Sequence, residues 1–232
     1  MKLNAGVKYI DNGLKVSLTA MQVQSALIDI SNDNVSGFDK IGYQRKEPIV
    51  SQFTEYLGTN GLSTTVDDEV GRIGKSENPL DLAIATKGYF QIQSAEGVKL
   101  TRDGRFKLDK SGNLLTLDDS KVLSNTGVPI KLSIVPQNLK DVVVNAKGAV
   151  SVFNKATNKL EYMNNIGVVD ANGALVMNPE VKQGYNEYSN VSLQKEFLGM
   201  MPILKNFDAN RQIFMIESAN LTKAISQLGS AS

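Results

Sequence analysis

The chain has 232 residues, of which 25 are basic and 24 acidic, for a formal charge of +1. It therefore carries no polyelectrolyte signature for nucleic acid or for an anionic membrane. Histidine, cysteine and tryptophan are absent, which excludes a thiol nucleophile, a disulfide, a cysteine–histidine zinc site and a serine–histidine–aspartate triad. No apolar run approaches the roughly 20 residues that span a bilayer. The opening Met1-Lys2-Leu3-Asn4-Ala5-Gly6 breaks its hydrophobicity too often for a cleaved secretory signal.

From the N-terminus, a three-four alternation selects Leu3, Val7, Ile10, Leu14, Ser17, Met21, Gln24, Ile28, Ser31 and Val35. This period predicts a long helix over 1–36 with one mostly apolar stripe. Residues 37–80 are punctuated by Gly37, Gly42, Pro48, Gly58, Gly61, Gly71, Gly74 and Pro79. They read as an extended connector with one or two short strands, such as Ile49-Val50 and Ser63–Val66.

Over 81–185 the period becomes two. Strands are predicted at Leu82–Ala85, Tyr89–Gln93, Val98–Thr101, Phe106–Leu108, Leu114–Leu117, Ile130–Leu132, Val142–Val144, Ala149–Phe153 and Ile166–Val169. Turns are predicted at Lys87-Gly88, Arg102-Asp103-Gly104-Arg105, Lys110–Asn113, Asn145–Gly148 and Asp170–Gly173, with Asp103-Gly104 as a hairpin signal. The fold class expected is a mainly β central domain, an antiparallel sandwich or partly closed barrel. Long amphipathic terminal α-helices flank it and pair as a coiled coil. The C-terminal helix, over 186–232, has a stripe of Leu193, Phe197, Met200, Leu204, Phe207, Arg211, Phe214, Ser218, Leu221, Ile225 and Leu228. Pro202 within it predicts a kink or a late start. From periodicity alone, the two helices either pair within a monomer or form adhesive surfaces completed only between subunits.

The search for chemistry finds no catalytic, cofactor or metal site, and the chain is read as a non-enzyme. Gly37–Gly42 lacks the spacing of a phosphate loop. Asp109–Asn113 places its glycine too early for a calcium loop and reads as a hairpin turn. Asp67-Asp68-Glu69 and Asp118-Asp119 read as solvated loop charges. Lys99, Arg102, Arg105 and Lys107 read as a solvated or subunit-contact face.

Four segments, in order, resemble the flagellar axial family of basal-body rod proteins and hook protein. Ile30-Ser31-Asn32-Asp33-Asn34-Val35, followed by Gly42-Tyr43-Gln44-Arg45, is similar to its "N-L-A-N-V … G-[FY]-K-R" signature. Asn78-Pro79-Leu80-Asp81-Leu82-Ala83-Ile84 and Gly88-Tyr89-Phe90 resemble "N-P-L-D-[LV]-A-I-x-G-x-G-[FY]-F". Thr101-Arg102-Asp103-Gly104-Arg105-Phe106 and Asp109–Leu114, with Gly112, resemble "T-R-x-G-x-F-x-x-D-x-x-G-x-L". Gln183-Gly184-Tyr185-Asn186-Glu187-Tyr188-Ser189-Asn190-Val191 resembles "Q-G-x-[LV]-E-x-S-N-V", and Arg211 falls on the arginine of the following helix motif. The chain departs from the family in its extra residues at 36–41, in Leu100 before Thr101, and in Pro202.

The resemblance implies a structural subunit that polymerises helically into a tube around the export channel and transmits torque. At this length it is most like a rod subunit. A short hook-type protein, or a soluble oligomeric β-domain binding module, is the alternative. It also implies assembly with itself and with other rod and hook subunits. Export would be through the flagellar type III apparatus to the periplasm-spanning rod, without membrane insertion, nucleic acid or cofactor.

Overall fold

The computed structural model describes residues 2–51 and 58–229, with side chains over 12–51 and 58–227. Two compact units emerge, the first from Met1–Ser36, Lys46–Val66 and Ser192–Ser232, the second from Gly37–Arg45 and Asp67–Val191.

The first unit holds helix α1 (Lys2–Gly37), helix α2 (Leu193–Gly229) and a hairpin of β1 (Lys46–Val50) and β2 (Leu62–Val66). Ser192 opens α2, its hydroxyl accepting from the Lys195 amide at 3.4 Å, the usual work of an N-cap serine. Pro202 lies inside α2, which continues through it to Gly229. The proline is solvent-exposed, so the Leu198 carbonyl that loses its helical partner stands on the water side.

The second unit is a set of antiparallel sheets. Its strands are β3 (Ile73–Lys75), β4 (Leu82–Ile84), β5 (Tyr89–Ser94), β6 (Gly97–Thr101), β7 (Phe106–Leu108), β8 (Leu114–Thr116) and β9 (Lys121–Val122). There follow β10 (Val142–Val144), β11 (Ala149–Asn154), β12 (Lys159–Asn165), β13 (Val168–Val169), β14 (Val181–Gln183) and β15 (Tyr185–Glu187). The largest sheet runs β13-β5-β9-β8-β7 with β6 added on β5; β10-β11-β12 form a second, and β4–β14 and β3–β15 are two-stranded ladders. The described strands do not close into a barrel.

One core serves several of these sheets. Phe90, Phe106, Val122 and Val168 enter it from the large sheet, Val142, Val150 and Val152 from the three-stranded one, and Leu82, Ile84 and Val181 from β4–β14. Phe90 and Phe106 meet edge to face at 5.1 Å and 81°, a favoured aromatic geometry. Burial alternates along β10 and β11 as a pleated strand requires: Val142, Val144, Val150 and Val152 point in, Val143 out.

The same turn closes three loops. Asp109 accepts from the amides of Ser111 and Asn113, Asn145 from those of Lys147 and Ala149, and Asp170 from those of Asn172 and Ala174. Each has a glycine three residues after the acceptor, at φ of +85°, +84° and +84° for Gly112, Gly148 and Gly173. A side-chain oxygen thus supplies the turn while glycine supplies the left-handed backbone.

Several expectations are corrected. Residues Arg102–Arg105 are not a hairpin: β6 pairs with β5, and β7 with β8. Gly104 has no positive φ; it is needed because a Cβ there would sit 1.8 Å from the Leu82 carbonyl oxygen. Asp103 accepts from the Arg105 amide at 3.1 Å and holds its guanidinium at 2.6 Å, a local bend that closes no hairpin. Arg102 is buried, not on a solvated face. Ile130–Leu132 is a pair of core anchors held by isolated bridges at Pro129 and Lys131, not a strand. Of Ile166–Val169 only Val168–Val169 is strand, because Gly167 brings the backbone against the Ser124 carbonyl.

The buried Arg102–Glu187 pair ties β6 to β15, and both side chains are only 2–3% exposed. Arg102 Nε donates to Glu187 Oε2 at 2.7 Å, and its Nη atoms donate to the carbonyls of Ile84, Thr86 and Gly88. Glu187 Oε1 accepts from the Gly71 amide at 3.0 Å. Removing one partner of such a pair strands the other charge. Arg102→Met or Glu187→Gln is expected to destabilise by about 3–5 kcal/mol, read by urea unfolding, and the double Met replacement by less than either single change.

Acid should act on the β7–β8 turn, which holds Asp109, and on the β8–β9 turn, which holds Asp118. The Asn113 side chain, then backbone amides, hold the Asp109 carboxyl below its ordinary value; the Thr116 hydroxyl does the same to Asp118. A depressed folded-state pKa adds stability above the unfolded value and loses it as pH falls through the folded one. The melting midpoint should hold near neutrality and drop below about pH 5, less steeply in Asp109→Asn.

Candidate assembly surface

α1 and α2 pack together antiparallel. Asn34 meets Glu196 at 3.3 Å, Gln24 meets Asn210 at 3.3 Å, and Gly13 faces the Glu217 side chain. Position thus falls along one helix as it rises along the other. The seam on α2 follows Leu193, Glu196, Met200, Ile203, Phe207, Asn210, Phe214, Glu217, Leu221 and Ala224, all buried or half-buried.

Glu196 and Asn34 are 4% and 1% exposed. A carboxylate at that depth requires hydrogen bonds, and Asn34 Nδ2 donates both to it and to the Lys46 carbonyl. Asn34 Oδ1 accepts from the Lys46 amide at 2.8 Å. One side chain at the end of α1 therefore fastens β1 and α2 together.

Among the predicted α1 positions, Ser17 is buried, and Leu14, Met21, Gln24, Ile28, Ser31 and Val35 are half-buried. Leu3, Val7 and Ile10, like Leu228, lie outside the described side chains. On α2, Leu193, Met200, Phe207, Phe214, Ser218 and Leu221 are half-buried. Phe197, Leu204, Arg211 and Ile225 are exposed. Their seam places are taken by Glu196, Ile203, Asn210 and Ala224, each one residue earlier. An apolar count missed these, since two are polar; the available signal was a polar residue recurring on the heptad opposite Asn34 and Gln24.

The helix pair therefore keeps apolar surface in water. Phe197, Leu198, Met201 and Leu204 are 54%, 62%, 53% and 45% exposed. On the other flank, an open groove of about 320 Å³ is lined by Val16, Thr19, Ala20, Val23, Gln24 and Leu27 of α1, with Ile203 and Asn206 of α2. Contiguous apolar surface of this kind marks an interaction site.

The remaining motif residues except Arg211 lie in the second unit, where most act as structural pins. Asn190 Oδ1 accepts from the Arg45 amide, and its Nδ2 donates to the carbonyls of Asp67 and Glu69. Asp81 is buried and accepts from Ser76, Asn78 and Asn186, while Asn78 Oδ1 caps the Leu80 amide. Gln183 donates to the Pro79 and Val142 carbonyls, and the Gly42 amide donates to the Glu187 carbonyl. Tyr43 stacks on Gly37, Thr101 caps the Asp103 amide and Ser189 the Val191 amide. Leu80, Phe90, Phe106 and Val191 are buried. Gly88 offers its carbonyl to Arg102. Arg211 lies at the surface, 3.5 Å from Asp208.

Among the described residues no cluster of acidic side chains could hold a metal ion, and no helix is long and apolar enough to cross a membrane. The flagellar hook protein FlgE/F/G D1 domain family matches residues 83–152. The chain is 25% identical to the flagellar basal-body rod protein FlgF of Mesorhizobium japonicum, over 96% of this chain and 100% of the relative. It is 27% identical to FlgF of Rhizobium meliloti, over 95% and 99%. It is 25% identical to the rod protein FlgG of Bacillus subtilis, over 84% and 91%. These matches support a rod-type axial protein.

Asn34→Ala should loosen the helix pair and its tie to β1 while sparing the β sheets of the second unit. A loss of about 1–3 kcal/mol is expected from the abandoned hydrogen bonds, measured as an earlier thermal loss of helical circular dichroism. An unchanged helical midpoint would contradict the pinning role.

Proposed function

We propose that this chain is a structural subunit of the flagellar basal-body rod, carried through the type III exporter and built into the tube around the export channel. The observation that carries this reading is the surplus of charge-free apolar surface on the terminal helices, in a chain whose relatives along nearly its whole length are rod proteins. No charged residue lies between Val16 and Ile28, or between Phe197 and Leu204. Packing those stretches against neighbouring subunits removes apolar area from water without desolvating a charge. Each large side chain so buried contributes about 1.5–3 kcal/mol before ordering is counted.

In the rod, the terminal helices form the inner layer and pair as coiled coils. Leu14, Met21, Ile28, Val35, Phe207, Phe214 and Leu221 serve the seam, with Phe197, Leu204 and Ile225 turned towards neighbours. The outer β unit is stiffened by the Arg102–Glu187 and Asp81 networks, which suits a part that carries torque. Its partners are copies of itself and other axial subunits.

Basal bodies from a strain lacking this gene should end at the inner-membrane ring or carry a truncated rod in electron micrographs. Complementation with Phe197→Asp or Leu221→Asp should leave the chain expressed, its β unit folded, and the rod unbuilt. Intact rods in the deletion strain, or normal assembly of both variants, would overturn the reading.

A further inference from the structure

The groove and the exposed apolar residues of α2 lie on opposite sides of the same helix pair. Phe197, Met201 and Leu204 recur at four- and three-residue steps and form one ridge. At 3.6 residues per turn, that ridge stands about half a turn around α2 from Asn206, which lines the groove. A single copy therefore presents an apolar ridge on one flank and an apolar groove on the other.

We infer that the Phe197–Met201–Leu204 ridge of one copy seats in the groove floored by Thr19, Ala20 and Val23 of the next. The inference rests on the reading of the chain as a self-assembling rod subunit and names the two surfaces that meet. Three features of the molecule select a second copy as the occupant. Both surfaces belong to this chain, and the ridge and the residues lining the groove carry no charge, so each desolvates the other with no unpaired ion. The small residues Thr19 and Ala20 leave the groove open where the ridge projects its large side chains. The two surfaces also differ, so the contact is heterologous and leaves a free ridge and a free groove at the ends. Such contacts propagate into rings or open helices and are not used up in a closed two-fold dimer.

The natural absence of cysteine gives a direct test. Full-length Ala20→Cys is combined with Phe197→Cys, Met201→Cys or Leu204→Cys, and basal bodies are isolated and oxidised. Within one chain the antiparallel pairing sets Ala20 and Met201 about 15 Å apart along the helix axis, beyond the reach of a disulfide. At least one double variant should run on non-reducing gels as a ladder of two, three and more chains, and each single variant as a monomer. A variant present in basal bodies but giving no ladder in any of the three combinations would overturn the ridge-in-groove contact and leave the rod reading standing. A dimer from a single variant would mean a symmetric contact, and a product containing another axial subunit would mean a different occupant; either overturns it. Absence of the chain from basal bodies would overturn the rod reading and this inference together.

Discussion

A carboxylate withdrawn from water must be given hydrogen bonds, and Glu196 has one of its partners in Asn34. That demand sets the register of α1 against α2. Sliding either helix by a turn would separate the two groups and also part Gln24 from Asn210. Apolar contacts tolerate such slips because Leu, Met and Phe can exchange places with little change in buried area. The polar pair does not tolerate them, and so it decides which apolar residues face inward and which remain outside.

The consequence appears on α2. With Glu196 and Asn210 drawn into the seam, their neighbours Phe197 and Arg211 are rotated outward by one position. Phe197 then joins Met201 and Leu204 on a face that a single chain does not cover. A wholly apolar seam would have been free to bury the ridge within one molecule. A polar seam keeps the in-chain pairing unique while leaving hydrophobic surface for other molecules, as polar residues at core positions do in other helix assemblies.

Features of short range were legible in the sequence. The helices could be read because a period sustained over 36 residues admits few alternatives. The turns at Asp109, Asn145 and Asp170 could be read because each is completed by atoms within four residues. What could not be read depended on distant partners. Arg102-Asp103-Gly104 has the composition of a turn, yet Glu187, 85 residues away, draws the arginine inward. The tight approach of Leu82 then explains the glycine. β12 was not foreseen because the outward side chains of Lys159–Asn165 mix charged, aromatic and polar types, which blurs the alternation. The α2 seam was missed by one residue for the same reason: a polar group was preferred over an adjacent phenylalanine because its partner lay on the other helix.

The motif residues of the second unit follow the same logic. Asn190, Asp81 and Gln183 each hold backbone or side-chain groups from separate parts of the chain. Side-chain amides and carboxylates suit this work, since each offers several acceptor or donor sites in fixed geometry. A β unit with short strands, two of them only two residues long, draws little rigidity from its ladders alone. Pins that cross between strands supply it. In the rod subunit proposed above, stiffness belongs to the part that would bear load and adhesion to the part that would join its neighbours. Here the buried polar contacts serve the first need in the β unit, and by excluding Phe197 from the seam they serve the second in the helices.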